Sequence, residues 1–349
     1  MDQRFDAEAL RACARDVLAR TGLPAEPSDA VARGLVEADL YGHVTHGLAL
    51  FTDYVEEIEN GGMAKDGRPE VLADAGAAVT WDARRLPGVW TTMLAVDEAV
   101  ARASRHGVGA VAIRRSHHIA CLAAFLEAPA RAGNLVIVFS SDPSAAHVAP
   151  YGGLDPIITP DPVAAGIPAE PDPVLIDVSM SITTAGMAGR LRATGGKFPE
   201  KWLLDRDGTP TDDPWALKNG GSILPIGGRD HGHKGFGLAL LVEALTQGLA
   251  GYGRADGETG WGAGVLVLAF APQRFAGADA FVRQTTWLAD AARNNRPADP
   301  AKPVRLPGQL AFARKRDAER DGVPLAPVIT EALGGLATKY GVPLPTAKP

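Results

Sequence analysis

The chain has 349 residues, 46% of them hydrophobic and 22% charged, a composition typical of a folded globular protein and long enough for one large domain or two ordinary ones. Its formal net charge of −6 and its scattered basic residues argue against a nucleic-acid-binding protein, because such proteins present a positive surface. The sequence shows no apolar signal segment, no apolar run long enough to span a bilayer and only two cysteines, Cys13 and Cys121, so we expect a cytoplasmic protein without disulfides.

The first sixty residues predict three helices. Apolar residues recur at helical spacing up to a Pro-containing break at residues 24–29. Ser28 has the side chain of a good N-cap, so we expect the second helix to begin there. A third helix is predicted over His46–Asn60, and the Gly61–Gly62 pair is expected to end it.

From about residue 77 the pattern changes to short β-branched runs that alternate with helical stretches, which predicts an α/β or α+β core. The predicted strands are Val108–Ile113, Leu135–Phe139, Val174–Val178 and Val265–Phe270. The predicted helices are Thr92–Ser104, Leu122–Arg131, Gly235–Gln247 and Asp279–Arg293.

A Pro-rich segment at 297–307 is expected to connect this core to two further helices, roughly over residues 309–320 and 326–340. Helical ends on both sides of a mixed centre suggest that the two termini pack together. We therefore predict a helical domain from residues 1–76 and 297–349, and a central domain from residues 77–296.

The segment Gly107–Ala112 matches the Gly-x-Gly-x-x-Ala form of the dinucleotide-binding fingerprint, but its context is wrong. The fingerprint needs a strand before it and a helix after it, so that the pyrophosphate meets the amino terminus of the helix. Here a predicted helix comes first and a β-branched strand follows. We therefore exclude a Rossmann phosphate loop.

Six of the eight histidines occur in close pairs, namely His43 with His46, His117 with His118, and His231 with His233. Such pairs can bind metal, and a metal-dependent hydrolase is one alternative, although the complete zinc motifs are absent and we assign no metal ligand. Histidine also titrates near neutral pH, and the neighbouring glycines let a ligand approach closely. The second interpretation favours proton transfer by these side chains.

Small polar side chains follow two of the predicted strands. Ser140, Ser141 and Asp142 come after one strand, and the segment from Asp177 to Ser181 comes after another. Hydroxyl groups and a carboxylate at the ends of buried strands suit a ligand crevice. The alternative is ordinary turn chemistry.

Six motifs in one order resemble the malate/L-lactate dehydrogenase family, the type-2 group that includes sulfolactate, ureidoglycolate and diketogulonate dehydrogenases and piperideine-carboxylate and pyrroline-carboxylate reductases. The motifs are THG at 45–47, SHH at 116–118, APYGG at 149–153, DVSMS at 177–181, HKGFGLAL at 233–240 and LPGQ at 306–309. The resemblance extends from about residue 5 to 340.

This resemblance implies a non-Rossmann, NAD(P)-binding fold with a mixed, largely antiparallel sheet, and a homodimer whose active cleft lies between domains. It implies catalytic roles for His46, His118 and Asp177. It implies cofactor contacts at Ser140, Asp177, Val178, Ser179, Ser181, His233, Lys234, Gly235, Pro307 and Gly308. It implies substrate contacts at Thr45, Leu50 and Tyr54.

One departure from the family pattern concerns the substrate. The family usually has an arginine where this chain has Leu50, and leucine cannot form the bidentate pair that arginine makes with a carboxylate. Arg190 and Arg192 are candidate replacements by position.

Our main hypothesis is an NAD(P)-dependent oxidoreductase that transfers a hydride between nicotinamide and C2 of a small 2-oxo or 2-hydroxy acid. The alternatives are a reductase of a cyclic or open 2-imino acid, the metal hydrolase, and a binding protein on an enzyme scaffold. The sequence does not decide between NAD and NADP.

Overall fold

The structure, a computed structural model, describes residues 2–348. Its strands are β1 (Gln3–Phe5), β2 (Glu70–Asp74), β3 (Ala78–Asp82), β4 (Val108–Ser116), β5 (Leu135–Ser141), β6 (Val163–Ile167), β7 (Val174–Val178), β8 (Leu203–Leu204), β9 (Pro210–Thr211), β10 (Ser222–Ile223), β11 (Ala263–Phe270) and β12 (Val323–Leu325).

The α-helices are α1 (Ala7–Arg20), α2 (Ala25–Tyr41), α3 (Phe51–Glu59), α4 (Gly88–His106), α5 (Glu127–Arg131), α6 (Ala185–Thr194), α7 (Gly228–Glu243), α8 (Ala278–Arg293), α9 (Gln309–Asp321) and α10 (Pro327–Tyr340). Within residues 2–348, no helix combines the length and the apolar character needed to cross a membrane.

A seven-stranded mixed sheet forms the centre, in the order β2-β3-β4-β11-β5-β6-β7. Only β3 and β4 pair in parallel; every other neighbouring pair in this sheet is antiparallel. The predicted α/β class with a largely antiparallel sheet is therefore confirmed. Such a sheet is unlike the parallel sheet of a Rossmann fold.

The rejected fingerprint segment, Gly107–Ala112, runs from the end of α4 into the first residues of β4. Gly107 has a φ of 88° and ends α4, so the chain turns directly into the strand and no helix follows the glycines. Gly109 lets the helix pack closely on the strand, because a β-carbon there would lie 2.0 Å from the carbonyl oxygen of Ala99. The glycines therefore serve a helix–strand contact.

Both ends of the chain meet in one helical layer. The short strand β1 pairs with β12, α9 packs on α2, and α10 packs on α1 and α3. One continuous apolar core includes Leu35 of α2, Tyr54 of α3 and Val267 of the sheet. The proposed division into two domains stays a prediction, and β2, which precedes residue 77, already pairs with β3 in the sheet.

Two helix starts predicted within the first sixty residues were wrong. Helix α2 begins at Ala25, and Ser28 lies inside it with its hydroxyl donating to the carbonyl oxygen of Leu23 at 3.1 Å; the fixed φ of Pro27 suits a first helical turn. The third helix starts after His46, as a 3-10 turn at Leu48–Leu50 that leads into α3. His46 therefore lies in a loop.

Candidate active site

A cavity of about 510 Å³ opens beside this loop, a volume within the usual range for small-molecule sites. It is lined by seven of the predicted site residues, which come from four separate segments: Thr45, His46, Leu50, His118, Ser140, Asp177 and Ser179. It is also lined by polar or aromatic residues that had no predicted role, including His43, Cys121, His147, Thr159 and Trp261.

A buried carboxyl group fixes the loop that carries His46. Asp39 of α2 is 4% exposed, and its Oδ2 accepts a hydrogen bond from the backbone N–H of Leu48 at 2.8 Å. The loop passes so close that a β-carbon at Gly47 would lie 2.3 Å from Asp39 Oδ1. A further backbone hydrogen bond, from His46 N–H to the carbonyl oxygen of His43 at 2.9 Å, closes the turn.

The imidazole of His46 is held from one side. Its Nδ1 lies 2.9 Å from the hydroxyl oxygen of Thr45, which leaves Nε2 for a ligand. Burial lowers the pKa of His46, and the nearby carboxylate of Asp177 acts in the opposite direction. The side chain is therefore neutral near neutral pH and able to accept a proton.

His118 is fixed by two aromatic neighbours. The hydroxyl of Tyr54 lies 2.9 Å from Nδ1 and donates to the backbone carbonyl of His118 at 3.1 Å. The indole of Trp261 stacks on the imidazole with ring centroids 4.5 Å apart. Burial lowers the pKa of His118 well below its ordinary value, and the adjacent His46 and His117 contribute in the same direction. The ring centroids of His118 and His46 are 6.0 Å apart.

Asp177 stands near the end of β7, on the same cavity. Its Oδ2 accepts a hydrogen bond from the backbone N–H of Ala123 at 3.0 Å and faces the thiol of Cys121 at 3.7 Å. Burial raises the pKa of Asp177, and His43 and His46 oppose that shift. A carboxylate at this point stabilises positive charge on a neighbouring imidazole.

A network of hydrogen bonds and an ion pair fixes the end of β5, which carries two hydroxyl groups. The hydroxyl of Ser141 donates to Glu243 at 2.9 Å and accepts from the side-chain amide of Gln247 at 2.7 Å. Glu243 in turn forms an ion pair with Arg254 at 2.7 Å. This network holds the strand end that carries Ser140 into the cavity wall.

Ser181, close to the cavity-lining Ser179, has its hydrogen bonds inside the turn. Its hydroxyl donates to the carbonyl oxygen of Thr183 at 2.6 Å, and the residue is buried. Val178 is 44% exposed and does not line the cavity. Tyr54 is fully buried and contacts the site through His118.

The remaining predicted cofactor residues lie outside this cavity. His233 and Lys234 are exposed on α7, where His233 contacts Tyr151. Gly235 packs against the backbone of Ile226. Pro307 and Gly308 pack on β7, where the carbonyl oxygen of Pro307 accepts a hydrogen bond from the Leu175 N–H at 3.3 Å.

The described residues give the cavity wall no permanent cation. Among the described residues, neither lysine nor arginine lines it, and Leu50 occupies the predicted carboxylate-binding position. Arg190 is exposed on α6, and Arg192 donates to the carbonyl oxygen of Pro214 at 3.0 Å. Neither arginine therefore replaces the missing one within this chain.

Sequence reasoning missed Asp39, Cys121 and Trp261. Asp39 lies inside α2, a helix most of whose residues are buried, and nothing in the neighbouring sequence distinguishes it. Trp261 is flanked by glycines, a weak sign of close approach to another group. Contacts of this kind depend on the tertiary fold.

Comparison with known proteins identifies the family. The sequence model described as malate/L-lactate dehydrogenase matches residues 5–334. The chain is 33% identical over 322 residues to the (2R)-3-sulfolactate dehydrogenase (NADP(+)) of Chromohalobacter salexigens, a match that covers 89% of this chain and 91% of that relative.

Two solved structures extend the comparison. The malate dehydrogenase from Entamoeba histolytica superposes with a TM-score of 0.94 at 22% identity and covers 99% of this chain and 100% of its own, a likeness of fold. The delta1-piperideine-2-carboxylate reductase from Pseudomonas syringae pvar. tomato superposes with a TM-score of 0.83 at 26% identity and covers 96% of this chain and 100% of its own.

The family resemblance drawn from the six motifs is therefore confirmed, and the match extends over most of the sequence. The hydrolase and non-enzymatic alternatives find no support among these relatives. The chain belongs to the malate/L-lactate dehydrogenase family and is an oxidoreductase.

Proposed function

We propose that this enzyme uses NAD(P) to interconvert a small 2-hydroxy acid and the corresponding 2-oxo acid. The observation that carries the proposal is the pair of histidines, His46 and His118, whose rings lie 6.0 Å apart on one cavity. The relative from Chromohalobacter salexigens, named for sulfolactate and NADP(+), supports both the substrate class and the cofactor class.

The wall of the cavity fits the nicotinamide end of such a cofactor. Ser140 and Ser179 offer hydroxyl groups to an uncharged amide, and Ile119, Leu122 and Ala263 offer apolar contacts to a ring. When bound, the nicotinamide accepts or supplies the hydride. The protein contributes orientation and proton transfer.

His46 is the proposed proton-transfer group. In the oxidative direction its neutral imidazole accepts the proton of the substrate hydroxyl at Nε2, while Thr45 holds Nδ1. In the reductive direction the protonated ring returns that proton to the forming hydroxyl. Asp177 stabilises the imidazolium in both cases, since its carboxylate favours the charged form of His46.

His118 is proposed as an orienting group. Tyr54 and Trp261 fix its ring from two sides, and the Nδ1 contact with Tyr54 leaves Nε2 to bind the substrate or the carboxamide. Because its pKa is strongly lowered by burial, His118 acts as a neutral hydrogen-bonding group.

The second candidate is reduction of a cyclic 2-imino acid. The absence of lysine and arginine among the described cavity-lining residues favours it, because a protonated imine balances the charge of its own carboxylate. A simple 2-oxo acid brings an unbalanced carboxylate into the site. The reductase from Pseudomonas syringae, named for a piperideine carboxylate, supports this candidate.

A substrate panel tests the proposal. NADH and NADPH consumption would be followed with pyruvate, sulfopyruvate, oxaloacetate, Δ1-piperideine-2-carboxylate and Δ1-pyrroline-2-carboxylate. We expect turnover with at least one of these acids, and turnover of the cyclic imines alone would favour the second candidate. Dinucleotide binding without turnover of any compound would contradict both.

We also propose that the chain forms a homodimer and acts in the cytoplasm. Exposed leucines on and beyond α7, namely Leu238, Leu241 and Leu249, are 49%, 51% and 60% exposed, and apolar clusters of this kind often mark interfaces. Sedimentation of the wild-type chain and of Leu241→Glu tests the dimer. A monomeric wild type, or a variant that remains fully dimeric, would argue against this surface.

A further inference from the structure

Three side chains with metal-binding atoms meet on one side of the cavity. His43, Cys121 and Asp177 each direct one ligand atom into a common space, and all of these atoms lie within 4.8 Å of one another. The three residues come from distant parts of the sequence, which explains why sequence motifs did not predict the group. They all line the cavity that also contains His46.

The distances suit a tetrahedral cation after a small adjustment. Zinc bonds of about 2.3 Å to sulfur and about 2.0 Å to nitrogen or oxygen place the ligand atoms roughly 3.3–3.8 Å apart. Cys121 Sγ and Asp177 Oδ2 are already 3.7 Å apart. His43 is only half-buried, so its side chain can move the remaining distance.

Charge and access also favour a cation. A thiolate, a carboxylate and a neutral imidazole together balance the two charges of a divalent ion. Among the residues that the structure describes, neither lysine nor arginine lines the cavity to repel such an ion. Three protein ligands leave the fourth tetrahedral position open to the cavity, as in zinc sites that bind water or an exchangeable ligand. The thiolate selects a soft cation over magnesium or calcium.

We propose that His43, Cys121 and Asp177 bind a thiophilic divalent cation such as Zn²⁺, and that the bound ion inhibits the enzyme. The inhibition, unlike the binding, rests on the proposed function: a cation on Asp177 removes the negative charge that stabilises the imidazolium of His46. The ion would also fill part of the cavity in which the proposed function places the substrate.

Metal binding is tested without cofactor or substrate. Chelator-treated protein is titrated with Co²⁺ as a spectroscopic probe and with Zn²⁺ in a calorimeter. We expect one ion per chain and a sulfur-to-cobalt charge-transfer band in the near ultraviolet. The band should vanish in Cys121→Ser and persist in the matched control Cys13→Ser, whose buried thiol lies in α1. Zn²⁺ affinity should fall at least tenfold in Cys121→Ser.

A second variant, His43→Gln, keeps the test decisive should Cys121→Ser misfold, since His43 is half-buried. It should weaken Zn²⁺ binding at least tenfold as well. Absence of saturable binding, or equal affinity in wild type and both variants, would overturn the site.

Inhibition is measured separately with an active substrate. Zn²⁺ should abolish turnover of the wild type, a chelator should restore it, and His43→Gln should need at least tenfold more Zn²⁺ for half-inhibition. Stoichiometric binding with unchanged turnover would overturn the inhibitory role. Failure of the proposed function would instead appear as no turnover in the chelated, metal-free wild type, while the binding result would stand.

Discussion

Asp39 and Gly47 approach each other so closely that the glycine is required. A β-carbon at position 47 would lie 2.3 Å from Asp39 Oδ1, and the other carboxyl oxygen bonds the next residue, Leu48. The buried end of α2 thereby sets the path of the loop that brings His46 to the cavity. Asp39 is a positioning residue, since it reaches the site only through this loop.

From the buried carboxyl group of Asp39 we predict that the difference in stability between Asp39→Asn and the wild type depends on pH. Burial raises the pKa of Asp39 to about 7, above its ordinary value of about 3.9. The folded wild type therefore holds a proton that the unfolded chain releases, and it loses stability as the pH rises between these values. Asparagine keeps an acceptor for the Leu48 N–H and does not titrate.

We expect Asp39→Asn to gain stability relative to wild type between about pH 4 and about pH 7, by on the order of a few kcal/mol, because one pKa unit corresponds to about 1.4 kcal/mol. Guanidinium unfolding at several pH values measures the difference. The surface variant Asp16→Asn is the control. A difference between Asp39→Asn and wild type that stays constant with pH would refute the account of Asp39.

Replacing the proposed proton-transfer group should strongly reduce turnover. His46→Ala is expected to lower kcat by about 10²–10⁴-fold, the usual contribution of general acid–base catalysis, with dinucleotide affinity largely kept. The control is His106→Ala, an exposed histidine at the end of α4. Steady-state kinetics and fluorescence titration supply the two measurements. Near-wild-type kcat in His46→Ala would remove this residue from the mechanism.

The two reaction directions should depend oppositely on pH. Burial lowers the pKa of His46 below its ordinary value of about 6.5. Oxidation needs the neutral ring, so its rate should rise with pH through this lowered pKa and then level off. Reduction needs the protonated ring, so its rate should fall over the same range. Profiles measured with a chelator present test this, and parallel profiles in both directions would contradict it.

Introducing an arginine at position 50 should change the preference of the enzyme between 2-oxo acids and cyclic imino acids. Leu50→Arg places a bidentate cation on the cavity wall, and a hydrogen bond to a charged group is worth about 1.5–3 kcal/mol. We expect kcat/KM for pyruvate to rise by roughly 10–100-fold, while a protonated cyclic imine gains less. Leu50→Met, which replaces leucine by an unbranched side chain without a charge, is the control. An equal change for both substrate classes would show that Leu50 does not decide charge selectivity.

The sequence patterns predicted the strands that carry uninterrupted β-branched and apolar runs. Strand β7 has the predicted bounds, and β5 and β11 differ from theirs by two residues at one end. Strand β2 was missed because all its positions are exposed and its sequence, EVLAD, contains no β-branched run. Strand β6 was missed because it is rich in alanine and glycine and lacks the β-branched run that favours a strand.

The residues of the candidate site that belong to short sequence motifs could be predicted. Thr45, His46, His118 and Asp177 all meet on one cavity. Their support was not predictable, because the stacking of Trp261 on His118 exists only after the chain has folded. The same holds for the approach of Cys121 to Asp177.

A crystal structure of the enzyme with a nicotinamide dinucleotide and a non-reactive substrate analogue tests the central claim most directly. We predict that His46 Nε2 lies about 2.6–3.2 Å from the oxygen or nitrogen on C2 of the analogue, with that carbon against the nicotinamide ring and Asp177 beside the imidazole. A dinucleotide bound elsewhere, or His46 far from the reacting carbon, would contradict the account.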